Sequence, residues 1–222
     1  MQLIPKALVV GGLIPPAPPG QQQVTADRLN RIWSELAPTH GFIQLQMSPD
    51  QSGAEFVGRA PENGVTIQPP LIQARAQIGS TAQQAADSAL AIFAVILRHL
   101  GVQQLFNVGI RHVYNAPLPD NDARGFVLRR VLSATDERLS ELATGSTSLW
   151  GGVKYVVPLP DRQYTLTVEP LQLDEMRSLY IDLDAQFPGE ASLDSITGRA
   201  ADAQAYITST VDRYLDQLSE IH

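Results

Sequence analysis

Apolar positions along this chain follow a rhythm that occurs twice. Ala7-Leu8-Val9-Val10 is a continuous apolar run of the kind that forms a buried strand, and Pro15-Pro16-Ala17-Pro18-Pro19-Gly20 closes it. Proline has no N–H to give a central ladder, so that segment reads as a connector. Leu29, Ile32, Trp33 and Leu36 then share one stripe of a helix capped at Thr25 and ended by Pro38 and Gly41. Three strands are predicted next: Phe42 to Met47, one around Phe56-Val57, and Val65 to Ile78. Turn-forming residues at Pro49 to Gly53 and at Pro61 to Gly64 separate them as hairpins. Pro69-Pro70 should break the third strand or place it at an edge. Ser80-Thr81 opens a long helix whose apolar residues, Ala85 to Leu100, wrap most of its circumference, and Gly101 closes it.

The second pass begins with a long strand, Leu105 to Tyr114, and a connector, Ala116-Pro117-Leu118-Pro119-Asp120, that echoes Ala17-Pro18-Pro19-Gly20. One or two helices occupy Asp122 to Ala143, because Thr135-Asp136-Glu137 looks like a fresh N-terminus. Strands follow at Val153 to Val157, Gln163 to Glu169 and Ser178 to Phe187. The last helix, from about Thr197 to Ile221, carries a narrow stripe: Ala203, Ile207, Val211, Tyr214, Leu218 and Ile221. Ala85-Ala86-Asp87 and Ala200-Ala201-Asp202 fall at matching places in the two long helices. These matches predict a duplication. The expected fold is α+β, with two β-α-β-β-β-α halves (7–101 and 104–222) forming a mostly antiparallel sheet in one domain, helices packed on one face. The linker at Gly101-Val102-Gln103 is too short and apolar to separate independent domains.

Composition narrows the classes of function. The chain of 222 residues is 44% hydrophobic and 18% charged, which argues for a folded core over disorder. A net charge of -7, with no run of Lys or Arg, gives no footprint for nucleic acid. Without cysteine, thiolate chemistry, disulfides and Cys-based zinc sites are excluded, as suits a cytoplasmic protein. No apolar stretch approaches the ~20 residues that span a bilayer, so no membrane partner is expected. Gly11-Gly12 interrupts the apolar start of the chain, so Ala7 to Ile14 reads as a strand and not a secretory leader.

Val108-Gly109-Ile110-Arg111-His112-Val113-Tyr114-Asn115 resembles the "glycine, aliphatic, arginine, aromatic … asparagine" strand of a sporadically distributed family of uncharacterised bacterial proteins. Leu179-Tyr180-Ile181-Asp182-Leu183-Asp184 is similar to that family's acidic strand before its final helix. His112 stands where the family pattern has an aromatic, and the helix after Asp120 is shortened. The resemblance implies the duplicated layout and no agreed activity.

Two strands carry the candidate chemistry. Residues two apart in a strand share a face, so Tyr180, Asp182 and Asp184 point one way and Ile181 and Leu183 the other. Three readings are open for the two carboxylates, about 7 Å apart: a wet sheet face, a divalent-cation site completed by Glu169 or His112, or an acid–base pair. On the other strand, Ile110, His112 and Tyr114 share one face while Gly109, Arg111, Val113 and Asn115 share the opposite one. Arg111 is read either as the cross-strand partner of Asp182 or Asp184, or as a clamp on an anion helped by Tyr114 and Asn115. The candidate ligand-binding set is therefore Arg111, His112, Tyr114, Asn115, Asp182 and Asp184, with no cofactor, metal site or catalytic residue assigned. His40, His99 and His222 have no second ligand at metal spacing. Ser146-Thr147-Ser148 lacks a nucleophile elbow, Gly151-Gly152 and Gly11-Gly12 lack a phosphate-loop pattern, and Trp150 reads as a core filler.

With no convergent constellation, the leading expectation is a non-catalytic interaction or regulatory protein, as a subunit of a bacterial complex or a defence-associated system. The alternative is a module binding a small anion between sheet and helices. The third is a hydrolase-like enzyme using the acidic strand. The apolar circumference of helix 81–100 points to a protein partner or a homo-oligomer there, unless the helix at Asp122 to Leu132 covers it.

Overall fold

The structure, a computed structural model, describes residues 1–60, 63–77, 81–143 and 149–220. Pro61, Ile78, Ser80, Ser146-Thr147-Ser148, Ile221 and His222, named above, lie outside the described residues. The first half contains β1 (Ile4–Leu13), α1 (Ala26–His40), β2 (Phe42–Met47), β3 (Ala54–Gly58), β4 (Gly64–Gln68), β5 (Leu71–Gln77) and α2 (Ala82–Leu100). The second contains β6 (Leu105–Pro117), α3 (Ala123–Gly125) running into a π-helical turn at Phe126–Val131, α4 (Asp136–Ala143), β7 (Val153–Pro158), β8 (Gln163–Pro170) and β9 (Ser178–Ala191). It ends with α5 (Leu193–Tyr206), a π-helical turn (Ile207–Val211) and α6 (Asp212–Glu220).

The α+β fold and the rough duplication are as expected, with one addition. Pro69-Pro70 sits in a tight turn that splits the predicted third strand into β4 and β5, so the first half carries an extra hairpin. All strands join one sheet in the order β2-β3-β4-β5-β1-β6-β9-β8-β7, and every pairing is antiparallel. The halves meet at its centre, where β1 pairs with β6: Leu8 faces His112, Val9 faces Arg111, and Gly11 faces Gly109.

Alternation along these strands sends one set of side chains under the helices. Leu8 and Val10 of β1, Val108 and Ile110 of β6, and Leu179, Ile181 and Leu183 of β9 are fully buried. Each such side chain removed from water contributes roughly 1.5–3 kcal/mol, the main driving force for assembling the layers. The helix ends follow the sequence signals: the Thr25 and Thr81 hydroxyls accept from the N–H groups of Arg28 and Gln84, and Gly41 and Gly101 adopt the left-handed conformation of a C-cap.

α2 lies on β1 and β5, α5 lies on β6 and β9, and α1 reaches β2 and β3. α2 is flanked by α1 on one side and packs on α5 as well, and the Glu35 carboxylate of α1 accepts from Arg98 and His99 of α2. This arrangement corrects the expectation for helix 81–100. The second cover comes from α1 and α5; Phe126 and Val127 instead pack over β8 and α6. Ile92 is buried, so a charge there would enter the core instead of breaking an assembly.

The last helix differs in its stripe. Ala203, Ile207, Val211 and Leu215 are buried, a spacing of four that would drift around an ideal 3.6-residue helix. The π-turn at Ile207–Val211 absorbs the drift, so Leu215 takes the inward place expected for Tyr214. Trp150 is also not a core filler: 42% of it is exposed.

Candidate binding face on the open side of the sheet

Strand alternation divides the predicted site between two faces. Arg111, Asn115, Asp182 and Asp184 stand on the face away from the helices; His112 and Tyr114 point beneath them. The anion clamp that joined Arg111 to Tyr114, and the cation set that joined Asp182 and Asp184 to His112, are therefore not assembled.

On the open face, Arg111 sits directly opposite Asp184 in the β6–β9 register but reaches diagonally to Asp182. Its Nε donates to Asp182 Oδ1 at 2.8 Å, its Nη2 to Oδ2 at 2.6 Å, and Nη2 also meets the Tyr180 hydroxyl at 3.2 Å. This two-point geometry is the planar fork of a guanidinium matched to a carboxylate. The hydrogen bonds that Arg111 donates to Asp182 raise its pKa further above its ordinary value, and burial pushes the Tyr180 phenol up. Asp184 accepts from Gln186 Nε2 at 2.7 Å. With its fork closed on Asp182 and a second carboxylate beside it, Arg111 does not present net positive charge to an anion.

Next to this pair lies a groove of about 390 Å³ over the centre of the sheet. Its floor is the Gly11–Gly109 pair, where two strands meet without side chains. Gln73 flanks Gly11 from β5, and Gln186 flanks Gly109 from β9. A Cβ at position 109 would lie 2.9 Å from Gln186 Nε2, so glycine there lets the glutamine amide lean over the floor. Leu13 and Leu71 make one wall, and Arg111 and Asp184 stand at the other. Through Asn107 and Gln186 the groove continues into a second hollow of about 450 Å³, lined by Pro158, Leu159, Pro160, Phe187 and Pro188. Arg162 beside it is held by Asp161 and Asp202 and lies over the Phe187 ring at 5.7 Å.

Beneath the helices, His112 is wholly buried, and neither ring nitrogen has a hydrogen-bond partner. The ring lies against the backbone of Ala200 on α5 and stacks on Tyr114, whose hydroxyl is likewise unpartnered. Burial lowers the His112 pKa to about 4 and pushes the Tyr114 phenol up to about 12. Both side chains are thus held neutral as parts of the core.

Sequence reading found Arg111, Asp182 and Asp184 but missed the groove. In the sequence Gly11 figures as a break in the apolar start and as a glycine pair without a phosphate-loop pattern, while the signal lies in its pairing with Gly109, 98 residues along the chain. Strand glycines mark places where another backbone can approach closely, and that was the usable hint. Among the described residues, no group of three or more His, Asp or Glu could hold a metal ion, and no helix is long and apolar enough to cross a membrane. No protein-family model matches the chain, and no curated protein matches it.

Proposed function

We propose that this chain is a non-catalytic interaction protein whose open sheet face, centred on the glycine-floored groove, receives the partner. The carrying observation is the Gly11–Gly109 pair. At the junction of the two halves the sheet backbone is bare, and amide, apolar and charged side chains border it. Bare backbone with polar walls suits the close approach of another chain. The polar groups best placed for catalysis support this reading too, because Asp182 is engaged by Arg111 and Asp184 by Gln186. The resemblance to a bacterial family without an agreed activity is compatible with a subunit of a larger complex. The partner surface first expected on helix 81–100 moves in this proposal to the opposite side of the sheet.

The test is affinity capture with mass spectrometry, comparing the native chain with Gly11→Leu. A Cβ at position 11 meets only ordinary contacts, the nearest being Ile72 O at 3.6 Å, so the variant should fold while filling the groove. Partners that bind the open face should be lost from Gly11→Leu at unchanged thermal stability. Equal capture by both proteins would count against the proposal.

A further inference from the structure

We infer that the groove holds an extended polypeptide segment running across the strands, with a basic side chain over Asp184; this rests on the open-face reading above. Length comes first. Gln73, Gly11, Gly109, Gln186 and Gln163 form one lateral row, each facing the next across β5, β1, β6, β9 and β8. Four inter-strand steps of about 4.8 Å give about 19 Å, the reach of about six residues of extended chain at 3.3 Å each.

The row also defines how such a segment would be recognised. Each of these strands is paired on both sides, so the sheet's backbone hydrogen bonds are already committed to ladders. A crossing chain must find partners for its own N–H and C=O groups among side chains. Gln73, Gln186, Gln163 and Asn107 provide them, since a carboxamide both donates and accepts. The two glycines let the segment sit close enough to reach those amides.

Charge selects the side chains of the segment. Arg111 is neutralised by Asp182, leaving Asp184 as the second carboxylate at the groove wall, with the Gln186 amide on one oxygen. In the neighbouring hollow Arg162 is shared between Asp161 and Asp202. Asp184 is thus the carboxylate that lines the groove itself, and a Lys or Arg above it complements it. Pro158, Leu159, Pro160 and Pro188 then offer an apolar seat for a residue at one end of the segment.

The experiment is binding of the full chain to an array of immobilised peptides of about six residues, scanned through every amino acid at each position. The expected result is selection of Lys or Arg at one position. Asp184→Asn, which keeps the Gln186 hydrogen bond, should erase that preference and weaken the best peptide about tenfold, the usual scale for a charge-assisted contact. Gly11→Leu should abolish binding of every selected peptide. Absence of a basic preference, or its persistence in Asp184→Asn, overturns the inference. If partner capture still depends on Gly11 in that case, only the occupant's chemistry falls and the open-face reading stands. If selected peptides bind Gly11→Leu as well as the native chain, both fall.

Discussion

Arg111 and His112 are neighbours in sequence, yet the two faces of β6 treat them oppositely. His112 is wholly buried beneath α5 without a hydrogen-bond partner, whereas Arg111 is 48% exposed and closes a fork on Asp182. One face excludes water and tolerates a polar group only in its neutral form; the other organises charge around a groove. In the reading proposed above, the helix side of the sheet supplies stability and the open side recognition. It also shows that adjacency along a strand is poor grounds for a shared site, because the alternation of period two separates neighbours by the thickness of the sheet.

The largest effect expected from this contrast is acid sensitivity at His112. Its folded pKa of about 4 lies below the ordinary 6.5, so the unfolded chain binds the proton more readily. Stability from this group is complete above pH 6.5 and is lost as pH falls towards about 4, by on the order of 3 kcal/mol. His40, also depressed by burial, acts with the same sign, so a variant is needed to isolate His112. His112→Leu should flatten most of the profile in urea denaturation followed across that range, because it removes the imidazole that takes up the proton on unfolding. A variant as acid-sensitive as the native chain would show that His112 is not held neutral.

A smaller effect is expected on the open face. Asp182 is only 15% exposed, but Arg111 is about half in water, so Arg111→Ala should cost about 1 kcal/mol. Arg111→Lys should cost less, since it keeps the charge while losing the two-point geometry. Denaturant midpoints compare the two, and equal midpoints would show that the cross-strand pair adds nothing to stability.

Local patterns carried much of the fold. The strand runs, the caps at Thr25 and Thr81, the break at Pro69-Pro70 and the alternation along β6 and β9 all depend on residues close together in sequence. The Arg111–Asp182 pair was also within reach, because both strands had readable parity and one arginine had two carboxylates to choose between. What stayed hidden depended on distant pairing or irregular winding. The Gly11–Gly109 floor exists only because β1 and β6 are neighbours in one register. The inward turn of Leu215 required a π-turn that no 3.6-residue stripe foretells. The apolar circumference of α2 was read correctly as needing two covers, but periodicity does not name which helices supply them.

The central claim, that the open face and not the helix layer meets the partner, is tested most directly by site-specific photo-crosslinking in cells. A photoreactive residue would replace Gln73 or Gln186 on the groove walls, or Ala91 of α2 or Ala201 of α5, both exposed on the outer side of the helix layer. Crosslinks to a common partner are expected from Gln73 and Gln186 and none from Ala91 and Ala201. Crosslinks from the two helix positions, with none from the groove, would contradict the claim.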